Sequence, residues 1–227
     1  MKKFLLSIAL ILFLPSENNA HVEHYSKYNY LEYELFRNNQ LIGFHKYKFN
    51  RKNNNLTINN EVSFKITKLG VNLYNYYAKG EERYIKGVFS GFNSKTNQNK
   101  KEKYVNISIN PFDKNLIIDG SSYKGNADKD MIIGTWWNHE IVQKKAQISA
   151  VSGRIIEQKV EFLGKEEISI GGKLYKTLRF NFSSSDPSLS KDKKLNTDIW
   201  YEEGTYLWVK AAFDKMGLWE YRLKKAE

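Results

Sequence analysis

The chain has four histidines, at positions 21, 24, 45 and 139, and no cysteine. Thiolate chemistry and disulfides are therefore excluded, and any metal or acid–base site must be built on these imidazoles and on carboxylates. His21 and His24 flank Glu23 in "HVEH", a pattern that would take a divalent metal only at a free amino terminus. No HExxH pair or other convergent ligand set accompanies them. Neither a metal nor a cofactor is expected. His45 and His139 are the two histidines placed to serve a hydrolase as bases, but no GxSxG nucleophile elbow is present; "SGFNS" and "AVSGR" do not fit it. The adjacent acids Glu81-Glu82, Glu166-Glu167 and Glu202-Glu203 would point to opposite faces of a strand, so they cannot act together and read as solvated surface. No catalytic residue is assigned. The sequons at Asn55, Asn106 and Asn181 are as many as this composition produces by chance.

The elements that must hold any site are strands. In "NLTINNEVSFKIT", residues 55–67, Leu56, Ile58, Val62, Phe64 and Ile66 alternate with mostly polar residues, the period of a half-buried strand. "YNYLEYELFR" and "LIGFHKYKFNR" flank "NNQ", a hairpin signal, and put His45, Tyr47 and Phe49 on one face. The first half predicts an antiparallel meander of about six or seven long strands, which must bend or close around a core. The period then breaks. In "DKDMIIGTWWNHEIVQKK" the apolar residues Ile132, Ile133, Trp136, Trp137 and Ile141 fall at helical offsets, which predicts a short helical segment over 131–145. Strands resume to the C-terminus. The fold class expected is mainly β: a strongly curved antiparallel sheet or open barrel with one short helical segment.

Residues 1–20 read as a secretory signal peptide: Lys2 and Lys3, then the apolar run "FLLSIALILFLP", then "SENNA" ending at Ala20. The run is too short to span a bilayer, which takes about twenty residues. Residues 21–227 are expected to form a single β-rich domain, periplasmic or secreted. The formal charge is +11. The excess is carried almost wholly by lysine, with six arginines, in a chain also rich in Asn, Ile and Tyr. That balance, with the export signal, argues against a nucleic-acid partner.

Four stretches carry a resemblance: "LIGFHKYKF", "TWWN", "LGKEEISIGGKLYKTLRF" and "DIWYEEGTYLWVKAAFDKMGLWEYRL". In that order they resemble an uncharacterised family of secreted bacterial β-rich domains of unknown function, which implies no activity. The "DIWYEEGTYLWV" hairpin also looks like those of lipoprotein carriers of the LolA/LolB type, in which a curved sheet wraps a lid and holds acyl chains. That resemblance is one of architecture.

The function expected is a non-catalytic envelope protein that binds an apolar or amphipathic, lipid-like ligand in the concave face of the sheet. Trp136 and Trp137 would plug that face, with His139 at its rim. His45, Tyr47, Trp200 and Trp208 would complete the ligand-binding group, because Tyr and Trp suit pockets with apolar walls and a polar rim. The competing readings are an envelope scaffold that meets another protein and holds no ligand, and a hydrolase using His45 or His139. The scaffold predicts no cavity behind the tryptophans. The hydrolase predicts a Ser, Asp or Glu within hydrogen-bond reach of one histidine. Nothing in the sequence sets the oligomeric state.

Overall fold

A computed structural model describes residues 25–190 and 193–227. The signal peptide and the "HVEH" segment lie outside the described residues. The strands are β1 (Tyr30–Arg37), β2 (Gln40–Lys52), β3 (Asn55–Lys68), β4 (Val71–Ile85), β5 (Val88–Gln98), β6 (Lys101–Ile109), β7 (Leu116–Gly120) and β8 (Lys124–Ala127). After them come β9 (Ile132–Ile133), β10 (Ala146–Ile148), β11 (Ile155–Ile170), β12 (Lys173–Ser184), β13 (Asn196–Glu202), β14 (Trp208–Asp214) and β15 (Leu218–Ala226).

All fifteen join one mixed sheet in the order β8-β7-β6-β5-β4-β3-β2-β1-β15-β14-β13-β12-β11-β10-β9. Each pairing is antiparallel except β9 with β10. Apart from β8 and β9, strands next to each other in sequence are next to each other in the sheet, so most connections are short turns. Most of those turns place Asn, Gly or Lys at positive φ, as at Asn38-Asn39, Lys86-Gly87 and Asn99-Lys100. Asn tolerates that conformation and Gly has no Cβ to clash.

The sheet is strongly curved and not closed. β8 and β9 are its two ends; they are joined by residues 128–131, and no ladder links them. Curvature comes from strand length and bulges. β2, β3, β4 and β11 run 13 to 16 residues, and the register slips at Leu35/Phe36, Arg83/Tyr84, Phe162/Gly164 and Trp200/Tyr201. Each slip sharpens the local twist.

The interior has two parts. One is aromatic, with Tyr25, Tyr33, Tyr47, Trp137, Tyr201 and Trp208 all fully buried. The other is aliphatic and lies where β5 to β8 come over β9 and β10. There Phe92, Val105, Ile107, Leu116 and Ile118 meet Ile133 and Ile148. The unpaired ends of the sheet thus share a core, which brings them together without a strand ladder; single hydrogen bonds, such as that from the Ser122 N–H to the Ser152 carbonyl, cross between them.

The segment expected as a helix over 131–145 is not one. Ile132 and Ile133 form β9, residues 134–138 are bends, and only His139–Gln143 wind into a 3-10 turn. The helical offsets arose differently. Trp136 takes a left-handed conformation, φ 60, and the Trp137 N–H donates to the Thr135 carbonyl at 2.8 Å, closing a γ-turn. A positive φ is uncommon for a bulky residue. It turns two consecutive indoles toward the interior, which neither a strand nor a straight helix would do.

Candidate functional site

The segment 134–144 crosses the inside of the curved sheet without joining its ladders. Its backbone polar groups therefore need other partners. They find them in buried side chains of the sheet. The Tyr47 hydroxyl donates to the Thr135 carbonyl, and the Tyr201 hydroxyl donates to the Trp136 carbonyl at 2.9 Å. Asn138 caps the 3-10 turn by accepting from the Glu140 N–H, and Gln158 Nε2 closes its other end by donating to the Ile141 and Lys144 carbonyls, both at 3.0 Å. Gly134 enters the plug where a side chain would displace a neighbour: a Cβ there would lie 2.1 Å from Gln147 Oε1, so the Gln147 amide would have to move. Its N–H donates to the Ile148 carbonyl.

The plug's side chains are held as firmly. The Trp137 ring is fully buried and meets Tyr25, Phe49 and Tyr84 edge-on, with centroids 5.6 to 6.0 Å away. Its Nε1 donates to Glu82 Oε2 at 2.9 Å. Glu82 also accepts from the Tyr84 hydroxyl at 2.5 Å and, more weakly, from Thr135 Oγ1 at 3.4 Å. Trp136 packs edge-on against Trp208 and Tyr221.

Glu82 is where sequence reasoning went furthest wrong. Expected on a solvated surface, it is 1% exposed. No described Lys, Arg or His lies in ion-pair range of it. Burial pushes its carboxyl pKa up, opposed by the three hydrogen bonds it accepts. The signal was in the strand parity. Ala78, Gly80, Glu82 and Tyr84 share one face of β4, and Glu82 sits opposite Ile58, itself buried.

Two cavities flank the plug. The larger, about 410 Å³, opens beside the 128–131 link between the sheet's ends. Phe89, Ile109, Leu116, Met131 and Ile132 wall it, Glu82 and Asn138 supply its inner polar groups, and Lys114, Lys129 and Lys144 stand around it with Asp130 and Glu140. The smaller, about 200 Å³, lies behind Trp136 and is lined by His45, Tyr47, Tyr76, Ser94, Thr96 and Tyr221 among others. His45 Nδ1 is buried there without a hydrogen-bond partner among the described residues, and burial pushes the His45 pKa down to about 3. His45 is therefore a neutral group at physiological pH. Ser94, in the same cavity, gives its hydroxyl to the Ala150 carbonyl at 2.5 Å. The geometry pairs no nucleophile with His45.

Most of the expected group is thus brought together. His45, Tyr47, Trp136 and Trp208 share one cluster with Tyr33, which stacks on Trp208 at 4.0 Å. Trp137 occupies the neighbouring half of the same core. His139 lies half-buried at the edge of the plug, stacked on Tyr206 at 4.3 Å. Trp200 is the exception and corrects the expectation. It lies on the face of β13 opposite Tyr201, sandwiched by the cations of Arg179 and Lys210 at 4.9 and 4.8 Å, with its Nε1 donating to Glu166. The bulge at Trp200/Tyr201 is the reason: it pairs Tyr201 with Trp208 and Trp200 with Lys210, so Trp200 and Trp208 face opposite ways. Among the described residues no group of three His, Asp or Glu is gathered as a metal would require.

An open, curved antiparallel sheet with a pinned internal plug defines a β-barrel-like protein. The chain belongs to a family described as a domain of unknown function, DUF6134, whose model matches residues 33–224. The kinship with an uncharacterised β-rich family, expected from the four stretches, is thereby met. No curated protein matches the chain. Among solved structures it is similar to a β-barrel-like protein of the DUF1849 family from Brucella abortus. The identity is 12%, with 87% of this chain and 96% of that one covered, and the TM-score is 0.63. At that identity the likeness speaks for the fold alone. A DUF1329 family protein from Desulfovibrio piger aligns over 93% of this chain and 90% of its own at 9% identity, with a TM-score of 0.27, too low to bear on the fold.

Proposed function

We propose that the protein is an exported, non-catalytic binding protein of the cell envelope whose larger cavity takes an apolar or amphipathic, lipid-like ligand. The observation that carries this reading is the cavity itself. Its 410 Å³ falls within the usual size range of small-molecule sites, and it joins apolar walls to a few inner polar groups. Lys114, Lys129 and Lys144 suit an anionic head group, and Asn138 and Glu82 offer polar contacts further in. Export rests on the charge-then-apolar pattern of residues 1–20.

The scaffold reading predicts no cavity behind the tryptophans, and the space of about 200 Å³ behind Trp136 counts against it; one observation favours it. The interior around Trp137 and Trp208 is filled by aromatic side chains that leave both rings fully buried. Native mass spectrometry of protein purified from the exporting compartment, with organic extraction of what travels with it, separates the two. A stoichiometric lipid, lost when Met131→Trp narrows the cavity, supports the binding protein. A bare mass that incubation with lipids leaves unchanged sinks it and favours the scaffold.

A further inference from the structure

The end of the barrel away from the plug carries an unusual pair of turns. Strands alternate direction around the sheet, so the β1–β2, β3–β4, β5–β6 and β14–β15 turns lie at one end. Hydrogen bonds between neighbours agree: the Asn38 N–H donates to the Leu218 carbonyl and the Asn99 N–H donates to the Asn75 carbonyl. At this end the β3–β4 hairpin projects as a free arm. β2 pairs with β3 only as far as Phe64, and β5 pairs with β4 only from Tyr76. Beyond those points residues 65–75 form a ladder only with each other, held at the base by Asn99, which bonds Leu73 and Asn75, and the tip reaches about 13 Å past the last ladder pairs with β2 and β5.

The tip of that arm is Leu69-Gly70, both at positive φ, and Leu69 is 95% exposed. The β14–β15 turn does the same with Met216, at φ 55 and 86% exposed. Two bulky apolar residues thus hold left-handed conformations that disfavour them and bury neither side chain in return. Val71 and Leu73 extend the apolar surface along the arm. Around it stand the exposed lysines Lys65, Lys68, Lys100 and Lys101, none in an ion pair with a described residue; the exposed acids at this end include Glu102 on the neighbouring strand and Asp214 beside the Met216 turn. Beneath lies an aromatic layer in which Phe64 stacks on Tyr76 at 4.7 Å and meets Trp219 edge-on at 5.2 Å.

We infer that this end docks on an anionic membrane surface, with Leu69 and Met216 entering the interface and the lysines meeting lipid head groups. Apolar tips, lysines on the arm and the β5–β6 turn, and an aromatic layer beneath match the layering of a bilayer interface. A partner strand added to the open edge of the arm would use its backbone and leave both strained tips without a purpose. The docked orientation places the larger cavity, at the opposite end, toward the aqueous compartment. The inference does not depend on what that cavity holds.

The test is co-sedimentation of residues 21–227, without the apolar leader, with phosphatidylcholine vesicles containing about 30% phosphatidylglycerol. Binding is expected at low salt. It should fall sharply in 1 M NaCl, where the screening length is about 3 Å, and with phosphatidylcholine alone. The double variant Leu69→Asn with Met216→Asn should bind about tenfold more weakly. Asn suits both left-handed positions, so the variant should melt no lower than the unmodified protein, and misfolding does not explain the loss. Failure of the unmodified protein to bind, or equal binding by the double variant, overturns the inference.

Discussion

Trp136 and Leu69 share a positive φ, 60 and 51, one in the plug inside the sheet and the other at the tip of a hairpin. Their surroundings differ completely. Trp136 sits against Trp208 and Tyr221 with its carbonyl bound by Tyr201. Leu69 stands at the tip of the arm, almost wholly exposed. In the plug, burial offsets backbone strain inside the fold. In the arm, nothing within the described fold does so. Strain of the first kind marks a structural part, and strain of the second kind points to a contact outside the molecule.

The comparison breaks most visibly at the plug. Trp137→Ala removes a fully buried ring and takes from Glu82 its 2.9 Å donor. The ring alone is worth about 3–5 kcal/mol, and a buried acceptor that loses a donor adds to that. Urea denaturation should show a loss of at least that size. A loss under about 1 kcal/mol would mean the plug is not part of the folded core. Removing the apolar residues of the arm should cost almost nothing by the same measure.

Acid separates the two ends in another way, because the buried titratable groups cluster near the plug. His45 has its pKa lowered to about 3 from a usual 6.5. The unfolded chain takes up that proton below about 6.5 and the folded one does not. Stability therefore falls as pH drops from 6.5 toward 3, by about 2–3 kcal/mol at pH 4.5 from this group. Glu82 acts with the opposite sign. Its folded pKa is raised, so its contribution declines as pH rises above about 4.5 through the raised value. Melting curves across pH 4–7 should lose most of their acid slope in His45→Phe, and a slope left unchanged would mean that His45 is solvated.

Much of this was legible in the alternation. Leu56, Ile58 and Phe64 face inward as their spacing requires, and the break in period expected from 131 falls close to where the chain leaves the sheet, after Ile133. What replaced the sheet was not legible. A γ-turn and a single 3-10 turn place indoles at offsets that a helix also produces, and only the partners of the freed carbonyls, Tyr47 and Tyr201, tell the two apart. Trp200 was misplaced because one bulge reverses the parity of a strand, and bulges leave little trace in a single sequence. Glu82 was missed because a charged residue weighs more than its parity when read alone. The small cavity behind Trp136 was equally hidden, since its lining comes from strands far apart in sequence.

Tyr201→Phe tests the pinning by itself. It keeps the ring and removes the donor to the Trp136 carbonyl, so that carbonyl is left short of its partner. A loss of about 1–2 kcal/mol is expected. Hydrogen exchange should quicken in 134–138 more than in the strands; uniform quickening would mean that the plug and the sheet unfold as one unit.

The smallest effect is the most pointed, because it should change sign between the ends. Leu69→Asn and Trp136→Asn each replace a bulky residue at positive φ with one that tolerates positive φ better. At Leu69 no burial is lost, so the substitution should raise stability by about 0.5–1 kcal/mol. At Trp136 the same relief is outweighed by loss of the ring's contacts with Trp208 and Tyr221, and stability should fall by about 2 kcal/mol. Two thermal melts decide it. If both variants are destabilised, the arm tip is held by contacts within the chain and the case for an outside partner fails. If only the plug variant is, the left-handed leucine serves something other than the fold.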